Sequence, residues 1–272
     1  MAASNLTLRL ATAGVLIPII LALLFWGPAW GWLVFLLLVA ITGGVEFFGM
    51  THPGDRLAQV LGTGLVWAVV LAMWFFQDHP KVLLSVLLLL PFAGVAYVLW
   101  KPGDIKTAAL RACAGTFGPF WLGAGFGSVA ALRIAGGDDG PALVLFSLGL
   151  AWLSDTGGYF TGRAFGKRKL YPKISPKKTV EGAMGGVAAV VAGAVLAHFT
   201  ILPSLPIRDA VILGAVGSVL AIFGDLAESL LKRSTGVKDS GGILPGHGGM
   251  LDRVDAVMIT APVMLVYVLW LR

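Results

Sequence analysis

Apolar stretches of the length that crosses a lipid bilayer recur along the whole chain, separated by short breaks rich in glycine, proline and aspartate. A helix needs roughly 20 apolar residues to cross a hydrocarbon core. Nine such stretches are present, and they cover residues 10–26, 32–50, 58–76, 82–100, 115–134, 142–162, 180–202, 210–231 and 254–271. The pattern predicts an all-α fold, a polytopic bundle of about nine transmembrane helices.

Composition supports a membrane protein over a soluble one. Hydrophobic residues make up 57% of the 272 residues and charged residues only 12%, about half the charged fraction of a soluble domain. Residues 1–26 have the character of a signal peptide, but no small-residue cleavage site follows, so they are interpreted as a retained first span. The single cysteine, Cys113, excludes an intrachain disulfide.

The basic residues indicate how the chain lies in the membrane. With nine spans, sixteen of the 20 lysines and arginines fall on one side and four on the other. The positive-inside rule then places the N-terminus and the long basic loops 163–178 and 232–253 in the cytoplasm. The net charge of +6 is thus largely a topology signal. The basic loops lack interleaved aromatic residues, so nucleic acid is not expected as a partner.

Acidic residues are unevenly distributed among the predicted spans. The first four contain one acid, Glu46, which we interpret as a structural carboxylate at a helix end. The later spans place six acids in their cytoplasmic halves: Asp155, Glu181, Asp225, Glu228, Asp252 and Asp255. Ionisable groups in a membrane are costly and usually functional, so acids converging at one depth indicate a single site.

Spacing along the chain agrees with such a site. Asp225, Glu228, Ser229 and Lys232 recur at intervals of three and four, which places them on one helix face. Asp252 and Asp255 are three apart and are predicted to share another face. Carboxylate oxygens suit Mg²⁺, whereas basic side chains and glycine-rich backbone suit phosphate. The combination is typical of phosphoryl or nucleotidyl transfer.

Other chemistries fit the sequence less well. His247 lies among glycines, but the four histidines have no zinc-site spacing. Residues 162–168 depart from a P-loop, and no serine is paired with a base as in a hydrolase. An ion-coupled secondary transporter would also use intramembrane carboxylates, yet no repeat relates the two halves and the acids gather at one edge. A structural scaffold leaves the dense motif at 229–255 unexplained.

That motif carries a resemblance to a known family. Residues 229–255 read S-L-L-K-R-S-T-G-V-K-D-S-G-G-I-L-P-G-H-G-G-M-L-D-R-V-D. This resembles the signature of the phosphatidate cytidylyltransferases, or CDP-diacylglycerol synthases, with more than a dozen fixed positions and no gap. Segments 154–167 and 175–182 resemble the family as well. The resemblance is strong over residues 145–272, whereas residues 1–140 share only their apolar character.

The resemblance implies a membrane nucleotidyltransferase that makes CDP-diacylglycerol and pyrophosphate from CTP and phosphatidate. It also implies Mg²⁺ as the cofactor, with a second cation left open, and a homodimer. Residues 1–140 are then N-terminal transmembrane helices for packing, dimerisation or lipid contact, and residues 141–272 form the catalytic domain. The active site would face the cytoplasm, so that phosphatidate stays in the bilayer while CTP enters from solution.

Individual residues are assigned on the motif, the charges and the chemistry together. The predicted catalytic residues are Asp225, Asp252, Lys238 and Asp239. The predicted substrate-binding residues are Lys177, Lys178, Thr179, Glu181, Ser229, Lys232, Arg233, His247 and Arg253. The predicted metal ligands are Asp225, Asp252, Asp155 and Asp255, with Asp225 and Asp252 expected at one metal centre. The glycines beside His247 are expected to leave room for the nucleotide.

Overall fold

The chain is almost entirely helical. The computed structural model describes residues 2–243 and 248–272, with side chains from Gly14 onward. The helices are α1 Ala2–Phe25, α2 Ala29–Thr51, α3 Arg56–Phe75, α4 Pro80–Trp100, α5 Ile105–Ala135, α6 Gly140–Phe165, α7 Val180–Thr200, α8 Ile207–Ser234, α9 Leu251–Val254 and α10 Val257–Trp270, with a 3₁₀ turn at Gly137–Asp139. Each predicted apolar stretch overlaps one long helix, which confirms the helical prediction.

The helices have the dimensions and surface of membrane spans. Within the described residues, α2, α3, α4, α7 and α8 are long and apolar enough to cross a bilayer, and α1 and α10 contain shorter apolar segments. Large apolar side chains on α4, such as Leu89 and Phe92, are exposed by more than 60%, which suits contact with lipid. The protein is a multi-pass membrane bundle. The count of nine spans and the orientation of the N-terminus stay predictions.

One element was not predicted, a two-stranded antiparallel hairpin in the first basic loop. Strand β1 covers Lys169–Tyr171 and strand β2 covers Ser175–Thr179, with Lys169 opposite Thr179. The turn buries Ile174. Thr179 ends β2 and caps α7, because its Oγ1 accepts a hydrogen bond from Gly182 N at 3.1 Å. The basic end of β2 is thereby fixed to a helix start.

Glycines allow α6 and α7 to pack closely. A Cβ added at Gly182 would lie 2.8 Å from the carbonyl oxygen of Gly158, and one added at Gly186 would lie 2.8 Å from that of Ser154. Backbones that approach this closely exclude any larger residue. These α7 glycines are therefore helix-packing residues.

The described chain divides into two compact units. One contains Met1–Ala131 and Asp239–Arg253, and the other contains Leu132–Lys238 and Val254–Arg272. The signature segment 229–255 therefore contributes to both units. The predicted boundary near residue 140 separates regions of different function and was not a prediction about packing. It stays a prediction.

Candidate active site

Four carboxylates gather in the unit built from α6, α7, α8 and α10. Asp155 lies on α6, Asp225 and Glu228 lie on α8, and Asp255 lies in the turn before α10. Asp255 is buried, and its carboxylate interacts electrostatically with those of the other three. Four of the six acids that were predicted to converge are therefore brought together, and we call these four the acidic cluster.

The polar face of α8 is arranged as its spacing predicted. Ser229 Oγ donates to Asp225 Oδ1 at 3.3 Å, and Lys232 forms an ion pair with Glu228 four residues earlier. The Glu228 side chain is only 1% exposed and that of Lys232 10%. Buried charges persist when they are paired, so this pair is a fixed part of the helix face. Glu228 was noted in the pattern but not assigned to the site.

Lys178 connects the hairpin to the acidic cluster. Its Nζ lies 2.5 Å from Asp225 Oδ2, and the two side chains are 24% and 20% exposed. The pair joins β2 to α8, elements that are far apart in sequence. Because both groups are partly open to solvent, substrate phosphates and cations can reach them.

Beside this pair lies a cavity of about 360 Å³. Arg163, Lys177 and Lys178 line it together with Asp155 of the acidic cluster. The remaining lining residues are Ser154, Gly158, Tyr159, Gly162, Leu170, Thr179, Gly182, Ala183 and Ile222. Three cationic side chains around a cavity of this size suit the phosphates of a small ligand. We call it the basic cavity.

Two residues of the basic cavity were missed at the sequence level. Arg163 had been counted only as topology charge, and Tyr159 had been noted only as part of a family segment. They lie one turn apart on α6, and Arg163 Nη1 donates to the Tyr159 hydroxyl at 3.2 Å. The i, i+4 spacing of an aromatic hydroxyl and an arginine at a helix end was the available signal.

Glu181 has a local role at the base of the hairpin. Its carboxylate accepts hydrogen bonds from Lys167 N at 3.0 Å, Arg168 N at 3.1 Å and Arg168 Nε at 3.0 Å. These bonds tie the chain leaving α6 to the start of α7. The predicted contacts of Glu181 and Thr179 with substrate stay predictions.

Asp252 belongs to the other unit, where it is held by the signature segment itself. Its Oδ2 accepts hydrogen bonds from Ser240 N at 3.2 Å, Ser240 Oγ at 3.0 Å and Gly249 N at 3.0 Å. Helix α9 ends at Val254, before Asp255. Asp255 is the first residue of the turn that follows α9, and the prediction that Asp252 and Asp255 share one helix face stays a prediction.

Glu46 of α2 contacts the same segment and was not assigned to the site. Its carboxylate accepts hydrogen bonds from Ser240 Oγ at 3.1 Å and from Met250 N and Leu251 N at 2.9 Å each. The interpretation of Glu46 as structural is consistent with these bonds, but what it holds is the signature segment. The signal was its position as the only acid in the first four predicted spans.

The remaining predicted residues lie at the surface or outside the described residues. Lys238, Asp239 and Arg253 are exposed. Arg233 is also exposed, and its Nη1 donates to Val237 O at 3.2 Å. His247 lies outside the described residues. Their catalytic and substrate roles stay predictions.

The donor set decides whether a metal ion suits this site. Among the described residues, no group of three or more acidic, histidine or cysteine side chains is arranged to hold a metal ion by itself. Mg²⁺, however, is usually bound by one or two carboxylates together with substrate phosphates and water. Asp155 lines the basic cavity, and Asp225 is ion-paired with Lys178, which also lines it. The residues therefore fit a cation that binds together with a phosphate-bearing substrate.

Comparisons with known proteins agree with this chemistry. A family model described as "Cytidylyltransferase family" matches residues 7–271. A phosphatidate cytidylyltransferase of Brucella suis is 35% identical over 270 residues, covering 97% of this chain and 93% of that protein. One of Pseudomonas aeruginosa is 33% identical over 266 residues, with 94% of both chains covered.

A shorter match has higher identity. The phosphatidate cytidylyltransferase of Haemophilus influenzae is 45% identical over 127 residues, and in that match the chain spans only 44% of the relative's length. The family model and the two longer matches, by contrast, extend over nearly all of the chain. The chain therefore belongs to the cytidylyltransferase family.

Proposed function

We propose that this chain is a membrane nucleotidyltransferase that makes CDP-diacylglycerol and pyrophosphate from CTP and phosphatidate, a reaction of phospholipid biosynthesis. Membership of the cytidylyltransferase family supports the cytidylyl transfer. The relatives named phosphatidate cytidylyltransferase support the lipid acceptor. The same findings favour this enzyme over the ion-coupled transporter.

One structural observation carries the proposal: the basic cavity lies beside the acidic cluster, and the Lys178–Asp225 ion pair joins them. Arg163, Lys177 and Lys178 offer three cations to phosphate oxygens, and Asp155 and Asp225 offer carboxylate oxygens at the same place. A nucleotidyltransferase needs both, because its substrates bring several phosphates together.

The proposed reaction is a direct displacement. A phosphate oxygen of phosphatidate forms a bond to the α-phosphorus of CTP, the bond from that phosphorus to the bridging oxygen breaks, and pyrophosphate leaves with the electron pair. The second pKa of a phosphomonoester is about 6, so the attacking oxygen is already largely ionised near neutral pH. The chain therefore needs no strong general base. Its task is to position the substrates and stabilise negative charge.

The side chains divide this task by charge. Arg163, Lys177 and Lys178 would bind phosphate oxygens, and Asp155 and Asp225 would hold Mg²⁺ with Asp255 buried behind them. When bound, Mg²⁺ supplies positive charge to the reacting phosphates. We also propose Asp252 as a further metal ligand. The proposal leaves open whether a second cation binds.

The proposal extends to the setting of the site. The charge asymmetry of the loops supports an active site that faces the cytoplasm, where CTP is soluble and the two acyl chains of phosphatidate can stay in the bilayer. The family resemblance supports a homodimer. The apolar helices support the membrane as the surrounding medium.

Pyrophosphate release tests the proposal. Detergent-purified protein with Mg²⁺ and CTP should release pyrophosphate when phosphatidate is added, and the lipid product should carry the cytidylyl group. Diacylglycerol with the same acyl chains is the matched control, because it lacks only the attacking phosphate. Release that is equal with diacylglycerol, or absent with phosphatidate, would contradict the proposal. Ion-driven lipid flux in proteoliposomes without pyrophosphate release would instead support a transporter.

A further inference from the structure

Glu46 gives the N-terminal region a direct link to the signature segment. It lies on α2, about 200 residues before the segment, yet its carboxylate accepts three hydrogen bonds from residues 240–251. Two donors are the amides of Met250 and Leu251, where α9 begins. Amides at a helix start have no partner within the helix, and a carboxylate is a strong acceptor for them.

Ser240 couples Glu46 to Asp252. Its hydroxyl oxygen lies 3.1 Å from Glu46 Oε2 and 3.0 Å from Asp252 Oδ2. A hydroxyl has one hydrogen and donates to one acceptor at a time, so the two carboxylates share it. Ser240 is buried, and its backbone amide also donates to Asp252. A displacement of Glu46 would therefore change the surroundings of Asp252.

The glycines of the segment fit closely around Glu46. A Cβ added at Gly249 would collide with Ser240 Oγ and lie 2.7 Å from Glu46 Oε2. A Cβ added at Gly241 would collide with Glu46 Oε1 and lie 2.8 Å from its carboxyl carbon. Both are closer than a real Cβ approaches another atom. Glycine at these two positions therefore leaves room for the Glu46 carboxylate. This differs from the role predicted for the glycines beside His247, which was to leave room for the nucleotide.

We propose that Glu46 is a positioning residue of the active site: its carboxylate holds Ser240, Met250 and Leu251 in place and, through Ser240, sets the orientation of Asp252. This inference rests on the proposed function, in which Asp252 serves the reaction. It assigns a part in catalysis to a region in which the sequence analysis identified no site residue. Glu46 itself contacts no substrate in this arrangement.

The test compares Glu46→Gln with a neighbouring control. The glutamine has nearly the same volume, but its amide nitrogen cannot accept a hydrogen bond, so at least one of the three contacts is lost. We expect kcat to fall roughly ten- to a hundredfold, the usual effect of losing charge-assisted bonds. The KM for CTP should change by less than about threefold, because the basic cavity proposed to bind the CTP phosphates is untouched.

Thr42→Ala is the matched control, one turn earlier on α2. The Thr42 hydroxyl donates to Val39 O of its own helix at 2.7 Å, so its loss should leave kcat within about twofold. A second comparison uses Ser240→Ala. Because Ser240 and Glu46 act through one shared bond, the double variant should be little worse than Glu46→Gln alone. Fully multiplicative losses would contradict the coupling.

Backbone amide exchange gives a readout that does not depend on turnover. In the wild type, the Met250 and Leu251 amides should exchange slowly, and in Glu46→Gln their exchange should accelerate while that of α8 is unchanged. Rapid exchange of both amides in the wild type would overturn the inference even if Glu46→Gln failed to fold. A folded Glu46→Gln protein with wild-type kcat would overturn it as well. Failure of the proposed function is distinct, because the wild type itself would then release no pyrophosphate.

Discussion

Lys178 is the residue at which the proposed site is most sharply tested, because it lines the basic cavity and forms an ion pair with Asp225 of the acidic cluster. Lys178→Met keeps an unbranched side chain, shorter by the terminal nitrogen, and removes the charge. Losing one charge-assisted contact to phosphate costs about 1.5–3 kcal/mol, which corresponds to roughly a ten- to a hundredfold loss of kcat/KM for CTP. Pyrophosphate release with phosphatidate in excess measures this directly.

The same substitution breaks the ion pair with Asp225, so its effect on stability must be separated from its effect on catalysis. Both side chains are about a fifth to a quarter exposed. Water screens such a pair, and its contribution to stability is about 1 kcal/mol or less. The thermal unfolding midpoint in detergent should therefore fall by only a few degrees. A variant that is folded at the assay temperature reports the kinetic effect.

Lys173→Met is the matched control for Lys178→Met. Lys173 lies in the turn of the same hairpin, is exposed, and does not line the cavity. Lys173→Met changes the net charge by the same amount as Lys178→Met, so any general effect of the loop charge appears in both variants. The reasoning is refuted if Lys178→Met retains kcat/KM within about threefold of Lys173→Met. Lys178 would then serve only the topology of the chain.

Three further predictions concern the acids, the topology and the buried ion pair. Asp225→Asn and Asp252→Asn should each remain folded and lose nearly all activity. If the two act at one metal centre, the double variant should be little worse than either single variant. Near-normal activity of Asp225→Asn at ordinary Mg²⁺ would refute the assignment. Gly242→Cys, in a background without the native cysteine, should react with a membrane-impermeant thiol reagent only from the cytoplasmic side, and labelling from outside intact cells would refute the orientation. Lys232→Met should lower the unfolding midpoint much more than Arg233→Met, because it removes the lysine that is paired with the buried Glu228. The expected loss in the free energy of unfolding is about 3 kcal/mol or more. Equal midpoints would show that the pair is dispensable.

The helices could be predicted because their signal is local. A run of about 20 apolar residues is visible in the sequence, and both membrane and helix packing require it to be helical. The start of α5 at Ile105 was missed because Lys106 and Arg111 made residues 105–114 resemble a loop, although both are good helix formers. The hairpin was missed because its strands are short and mostly polar, and they lack the alternation that indicates a strand.

The candidate site could be predicted in proportion to how local its contacts are. The face of α8 followed from spacings of three and four, and the signature segment was sufficient to identify the family. The Lys178–Asp225 pair and the contact of Glu46 with Leu251 join residues about 50 and 200 positions apart. No periodicity in the sequence indicates such pairs. The turn that separates α9 from α10 could not be predicted either, because its residues are as apolar or charged as those of the helices.

The two ion pairs of the proposed site differ in a way that suits its chemistry. The Lys232–Glu228 pair lies within one helix and is almost fully buried, so separating it would leave charges without solvent or partner. The Lys178–Asp225 pair joins two elements and is partly open to water, so it can be exchanged at much lower cost. In the proposed reaction, phosphate at Lys178 would replace its carboxylate partner, and a cation at Asp225 would replace its lysine partner. Each of these exchanges alone would leave one charge of the pair uncompensated, whereas both together would compensate the two. The proposed site should therefore bind a nucleotide together with its cation more tightly than either one alone.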